Sequence, residues 1–210
     1  RDTDRSRGLG DVYKRQMLDR INGYSHTEGD FRWALAYHSY PSSLIDPKTW
    51  NDAQATFDMD SPMVTFKNLE VLDAWIKQPR ALYQGKIKRT VFLSEQNPNS
   101  KDYSEEALRE QAAGMAYAMK KLEACDGIDA YQMHGWFDQR AEGGLRIGVR
   151  RFMDDETDPG GRKPAWFVFQ AFGTDREDEV FEFAKDIIGI DDWDQVIYKA
   201  PIPMRPELND

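Results

Sequence analysis

The chain has 210 residues, 40% hydrophobic and 12% aromatic, with 28 Lys and Arg against 37 Asp and Glu for a net charge of −9. That length suits one domain core or part of a larger barrel, and so many aromatic residues exclude a disordered chain. The negative charge argues against a nucleic-acid partner, no apolar run approaches the roughly 18 residues of a membrane span, and the single cysteine, Cys125, excludes an internal disulfide.

Residues 1–16, RDTDRSRGLGDVYKRQ, are nearly devoid of apolar side chains and of periodicity, and they lack the apolar run and cleavage site of a signal peptide. They resemble translated sequencing-adapter sequence at the broken ends of metagenomic genes, Asp11–Gln16 most closely. The expectation is a non-native segment at 1–16, followed by a domain at 17–210 that is truncated on its N-terminal side. Met17, Leu18, Ile21 and Tyr24 form a helical stripe that ends at Gly29 and Asp30. Phe31–Tyr40 reads as a buried strand running into Pro41, and residues 42–61 as a connection with a helical turn near Trp50. Asn68–Gln78 places Leu69, Leu72, Trp75 and Ile76 on one helical face and stops at Pro79.

Lys88–Ser94 is β-rich, ends at Glu95 and is followed by Gln-Asn-Pro-Asn, a turn signal. Ser104 is placed to cap a helix running to about Ala124, with Glu105 and Glu106 at its positive end and Lys120 and Lys121 at its negative end. Its inward positions are Leu108, Ala112, Met115, Met119 and Leu122. Asp126-Gly127 breaks it, and Ile128–Trp136 reads as a third strand. Lys163–Phe172 begins with Pro164 in the first turn and has Gly173 at its end, and Asp175–Ile188 is an acidic amphipathic helix closed by Gly189. The tail, with Pro201, Pro203 and Pro206, reads as irregular.

Strands that alternate with long helices predict βαβ units and a parallel sheet. No GxGxxG or GxxxxGK[ST] pattern follows a strand, so the phosphate cradle of a nucleotide-binding fold is missing and a barrel is favoured. Polar residues collect where a barrel keeps its chemistry, at the carboxyl ends of strands. The first strand ends in His38, Ser39 and Tyr40, the second in Glu95 and Gln96, and the third in His134, Trp136 and Asp138. Singly, such a Glu is a surface carboxylate, such a His a satisfied partly buried group, and such a Trp a core lid. Three consecutive strands ending this way predict a shared pocket. A carboxylate among aromatic side chains suits glycoside chemistry, with the carboxylate meeting an oxocarbenium-like sugar. The aromatic faces would take the ring's C–H face, while His, Tyr and Gln hydrogen-bond its hydroxyls.

The same residues carry a resemblance. Thr90-Val91-Phe92-Leu93-Ser94-Glu95-Gln96 resembles the seventh strand of clan A (β/α)8 glycoside hydrolases, which ends in the nucleophilic glutamate. Ala36-Tyr37-His38-Ser39-Tyr40-Pro41 resembles the sixth, where a His or Tyr hydrogen-bonds the nucleophile, and Met133-His134-Gly135-Trp136 the eighth, whose Trp floors the sugar subsite. Gly144–Phe172 is similar to the stretch that follows that strand, and 17–210 as a whole resembles the C-terminal part of an uncharacterised bacterial barrel family described as a domain of unknown function. The resemblance implies an α/β fold, the C-terminal portion of a (β/α)8 barrel with strands 6–8 and their helices. It implies a retaining hydrolase of a poly- or oligosaccharide with Glu95 as catalytic nucleophile, and with His38, Tyr40, Gln96, His134, Trp136 and Asp138 as substrate-binding residues. It further implies export in the parent protein. No cofactor, metal, nucleic acid or obligate protein partner is expected.

Two departures stand out. No Asn-Glu dipeptide, the family's acid/base pair, occurs in the chain, and Asn97 stands where a glycine is expected soon after the nucleophile. Truncation accounts for the first, so the fragment is expected to be inactive. The alternatives are a metal-dependent barrel hydrolase using His38, His134, Glu95 and Asp138, and a barrel that binds carbohydrate without hydrolysing it.

Overall fold

The computed structural model describes residues 20–203. Segment 1–16, Met17 and Leu18 of the first helical stripe, and Pro206 lie outside the described residues. Three parallel strands, β1 (Leu35–Tyr37), β2 (Val91–Gln96) and β3 (Ala130–Met133), stand side by side in that order. Helix α1 covers residues 20–27, α2 is Leu69–Ile76, α3 Glu105–Glu123, α4 Pro164–Ala171 and α5 Glu177–Ile188. The result is a mixed α/β fold whose small parallel sheet has α2 and α3 in its two crossovers, as neighbouring parallel strands require.

The strands are shorter than the β-rich runs in the sequence, because side chains take the backbone groups at their ends. Before β1, the Phe31 carbonyl accepts from the Arg89 guanidinium at 2.9 Å. Arg89 itself is buried over the Trp33 ring and also donates to Ala81 O and to Asp30. Beside β3, the Asp129 carboxylate rather than a backbone carbonyl accepts from Val91 N.

One face of the sheet is covered. Leu35, Tyr37, Val91 and Leu93 point into a core with Leu69, Leu72 and Ile76 of α2 and Tyr117 and Ala118 of α3. Each fully buried aliphatic side chain there contributes about 1.5–3 kcal/mol. The opposite side of α3 forms a second core, where Ala112, Met115 and Met119 meet Val168 of α4 and Phe181 of α5. Helix α3 is therefore central, and its start follows from local chemistry: the Ser104 hydroxyl accepts from Ala107 N at 3.3 Å, with Glu105 and Glu106 in the first turn. Gly173 and Gly189, both left-handed at φ +70° and +83°, follow α4 and α5.

Among the described residues the other face of the sheet is open, with Ala36 and Phe92 exposed on it.

Candidate functional site

Alternation puts Ala36, His38 and Tyr40 on the open side of the first strand and its extension, while Leu35, Tyr37 and Ser39 are buried. In β2 the alternation breaks. Leu93 pairs with Tyr131 and Gln96 with Met133, so three steps along β2 match two along β3. This bulge leaves Ser94 and Glu95 both part-exposed between buried Leu93 and buried Gln96. Bulges of this kind re-aim side chains beside functional sites, and here the side chain is the strand-end carboxylate.

The Glu95 side chain is 43% exposed, and its Oε1 accepts a 3.2 Å hydrogen bond from the Tyr40 hydroxyl. His38 Nδ1 lies 4.0 Å from the same oxygen. The second oxygen, Oε2, has no partner among the described residues. Burial, then the charge and hydrogen bond of Glu95, then the charge of Glu142, push the Tyr40 hydroxyl well above the usual phenol range. Tyr40 therefore keeps its proton and donates it.

From β3, His134 N donates to Gln96 O at 3.2 Å, which sets His134 beside the end of β2. Its ring Nε2 pairs with Glu142 Oε1 at 3.1 Å. Trp136 is 53% exposed and lies against Trp166 and Phe169 of α4, with ring centroids 5.3 and 6.3 Å away. A flat aromatic side chain thus stands at the strand ends with two others behind it.

The structure brings His38, Tyr40 and Glu95 together and sets His134 and Trp136 on the neighbouring strand end. The side chains of Gln96 and Asp138 are buried instead. Gln96 is 0% exposed, and its amide donates to Leu93 O and Gln132 O, filling the gap that the bulge opens in the ladder. The Asp138 carboxylate is fully enclosed, accepting from Lys163 Nζ at 2.9 Å, Gly148 N at 2.8 Å and the Tyr103 hydroxyl at 2.7 Å. Burial pushes the Asp138 carboxyl above its ordinary range and Lys163 down to about 8.

Asn97 also takes a different role from that of a backbone-permissive residue. Gln84 is the one described non-glycine residue with positive φ. Asn97 instead donates to His134 O and Ile147 O and accepts from the Tyr131 hydroxyl at 2.7 Å, which ties the three segments beneath the site. Glu142 and Lys163 carry no strand-end signal, since both lie in the long excursion between β3 and α4. Among the described residues, no group of three His, Cys, Asp or Glu side chains is arranged to hold a metal ion, and no helix is long and apolar enough to cross a membrane.

Residues 3–196 match the model of a family described as a family of unknown function, DUF5722. No curated protein and no solved structure matches the chain.

Proposed function

The chain belongs to the family of unknown function DUF5722, and from that premise we propose that it carries the nucleophile side of a retaining glycoside hydrolase site on the last three strands of a (β/α)8 barrel. The parent is read as an exported bacterial enzyme acting on a poly- or oligosaccharide. The observation that carries this reading is the Glu95 carboxylate, with one oxygen held by Tyr40 and the other without a partner among the described residues, at a strand end whose neighbouring strand leads into an exposed tryptophan. A parallel sheet with helices on one face and an open second face supports its place in a barrel wall.

The chemistry asks for such a carboxylate. In a retaining hydrolase an ionised oxygen attacks the anomeric carbon through an oxocarbenium-like transition state and leaves a glycosyl ester. Tyr40 fixes Oε1 and so presents Oε2, while the His38 ring stands 4.0 Å from Oε1. Trp136, backed by Trp166 and Phe169, presents a flat face to the C–H face of the sugar ring. The acid/base carboxyl is read as lying outside this chain, which has no Asn-Glu dipeptide. Saccharides with poor leaving groups are therefore expected to bind without turnover. Gln96 and Asp138 are assigned to holding the strand ends rather than the sugar, since neither side chain reaches the surface.

Titration of the chain with gluco-, galacto-, manno- and xylo-oligosaccharides, followed by tryptophan fluorescence, tests the reading. A saturable change with at least one sugar series, lost in Trp136→Ala and kept in Glu95→Gln, is expected. No saturable change, or one indifferent to Trp136→Ala, would contradict a saccharide site at the strand ends.

A further inference from the structure

Glu142 closes the one-turn helix Arg140–Glu142, and Gly143 and Gly144, both left-handed at φ +68° and +81°, turn the chain away after it. The loop so formed returns a carboxylate to the end of β3, where His134 Nε2 meets its Oε1. Its Oε2 has no partner among the described residues. The basic residue nearest to it in sequence, Arg140, is engaged by both oxygens of Asp154 at 3.0 and 2.7 Å. The charge of Glu142 is also felt at the Tyr40 hydroxyl, the group that holds Glu95. Two carboxylates, each beside its own histidine and each with one open oxygen, thus face the same strand ends.

We propose that Glu142, oriented by His134, is a specificity-determining residue of the glycosyl site, its open oxygen accepting hydrogen bonds from sugar hydroxyls on the edge away from the anomeric carbon. The inference rests on the glycosidase reading of Glu95 and deepens it. A sugar lying on Trp136 and reached by Glu95 has its remaining hydroxyls to satisfy, and a fixed carboxylate is a strong acceptor for them. The tie to His134 fixes one oxygen and therefore the direction of the other. A site of that kind discriminates by geometry, because a sugar whose hydroxyl is displaced or missing leaves the desolvated carboxylate unpaired.

The test uses 2,4-dinitrophenyl 2-deoxy-2-fluoro glycosides of glucose, galactose, mannose and xylose. Dinitrophenolate leaves with the bonding electrons and needs no proton. Glu95 Oε2 forms a bond to C1 as the C1–O bond breaks, and the fluorine slows breakdown of the ester so that it accumulates. Labelling rates are compared for the wild type, Glu142→Ala and Glu142→Asp, with thermal melts to confirm that the surface turn leaves the fold intact. Loss of one charge-assisted hydrogen bond is expected to slow labelling by the preferred sugar about tenfold or more. The other sugars should lose much less, and Asp should recover part of the preference. A labelled wild type whose ranking and rates are unchanged in Glu142→Ala, or reduced equally for all four sugars, overturns this inference alone. A wild type that takes no label from any of them overturns the nucleophile reading and this inference with it.

Discussion

At the scale of single residues, the buried pair Asp138 and Lys163 shows how a strand-end carboxylate can be structural. The pair ties Asp138, early in the loop after β3, to Gly148 later in that loop and to Lys163, the residue that precedes α4. Lys163→Met alone leaves a buried carboxylate with part of its shell gone, and such losses cost about 3–5 kcal/mol. Asp138→Leu combined with Lys163→Met removes both charges and should cost less than the sum of the two single changes. Urea denaturation of the three variants checks this; additive losses would show that the two groups act independently. Asp30 offers a pH prediction. The Gln84 amide, and then the Arg89 guanidinium, hold its carboxyl below the ordinary value of 3.8. A depressed folded value gives stability that is fully present above the unfolded value and lost as pH falls through the folded one. Asp30→Asn should therefore flatten the acid limb of a stability–pH curve measured from pH 6 down to pH 2; an unaltered limb would remove the linkage.

At the scale of elements, α3 was legible because its signals are local: a Ser cap, acids in the first turn, lysines in the last, and an apolar stripe between. The bulge in β2 was not, since register depends on the partner strand, and a single extra residue buried Gln96 while it opened Glu95. The burial of Asp138 was not legible for a similar reason. Its partner Lys163 lies 25 residues on, across a loop with no periodic pattern. Gly114 is a further case where tertiary contact overrides propensity. Mid-helix Gly→Ala normally stabilises by up to about 1 kcal/mol, but a Cβ here would stand 2.7 Å from Pro47 O and 3.0 Å from Pro98 Cβ. Pro98 lies two residues past the end of β2, so α3 packs closely against the segment that leaves the strand. Gly114→Ala is expected to destabilise by about 1–3 kcal/mol, the usual range for overpacking. A raised melting temperature would contradict that packing.

At the scale of the whole molecule, β1 and β3 each pair on one side among the described residues, and Phe92 is exposed on the open face. Unpaired edges and uncovered apolar faces favour association. The chain is expected to self-associate as its concentration rises, seen by sedimentation velocity; a monodisperse monomer throughout would show that these edges are adequately protected. The alternation of helix and strand patterns made the parallel sheet readable, and the strand-end residues His38, Tyr40 and Glu95 were readable as a set for the same reason. The contribution of Glu142 was not, because it arrives on a loop turned by two left-handed glycines. The central claim is that Glu95 attacks an anomeric carbon. Peptide mapping by mass spectrometry after incubation with the dinitrophenyl 2-fluoro glycosides tests it most directly. The account predicts one glycosyl ester on the peptide containing Glu95, absent from Glu95→Gln; no adduct with any of the four sugars, or an adduct that persists in Glu95→Gln, would contradict it.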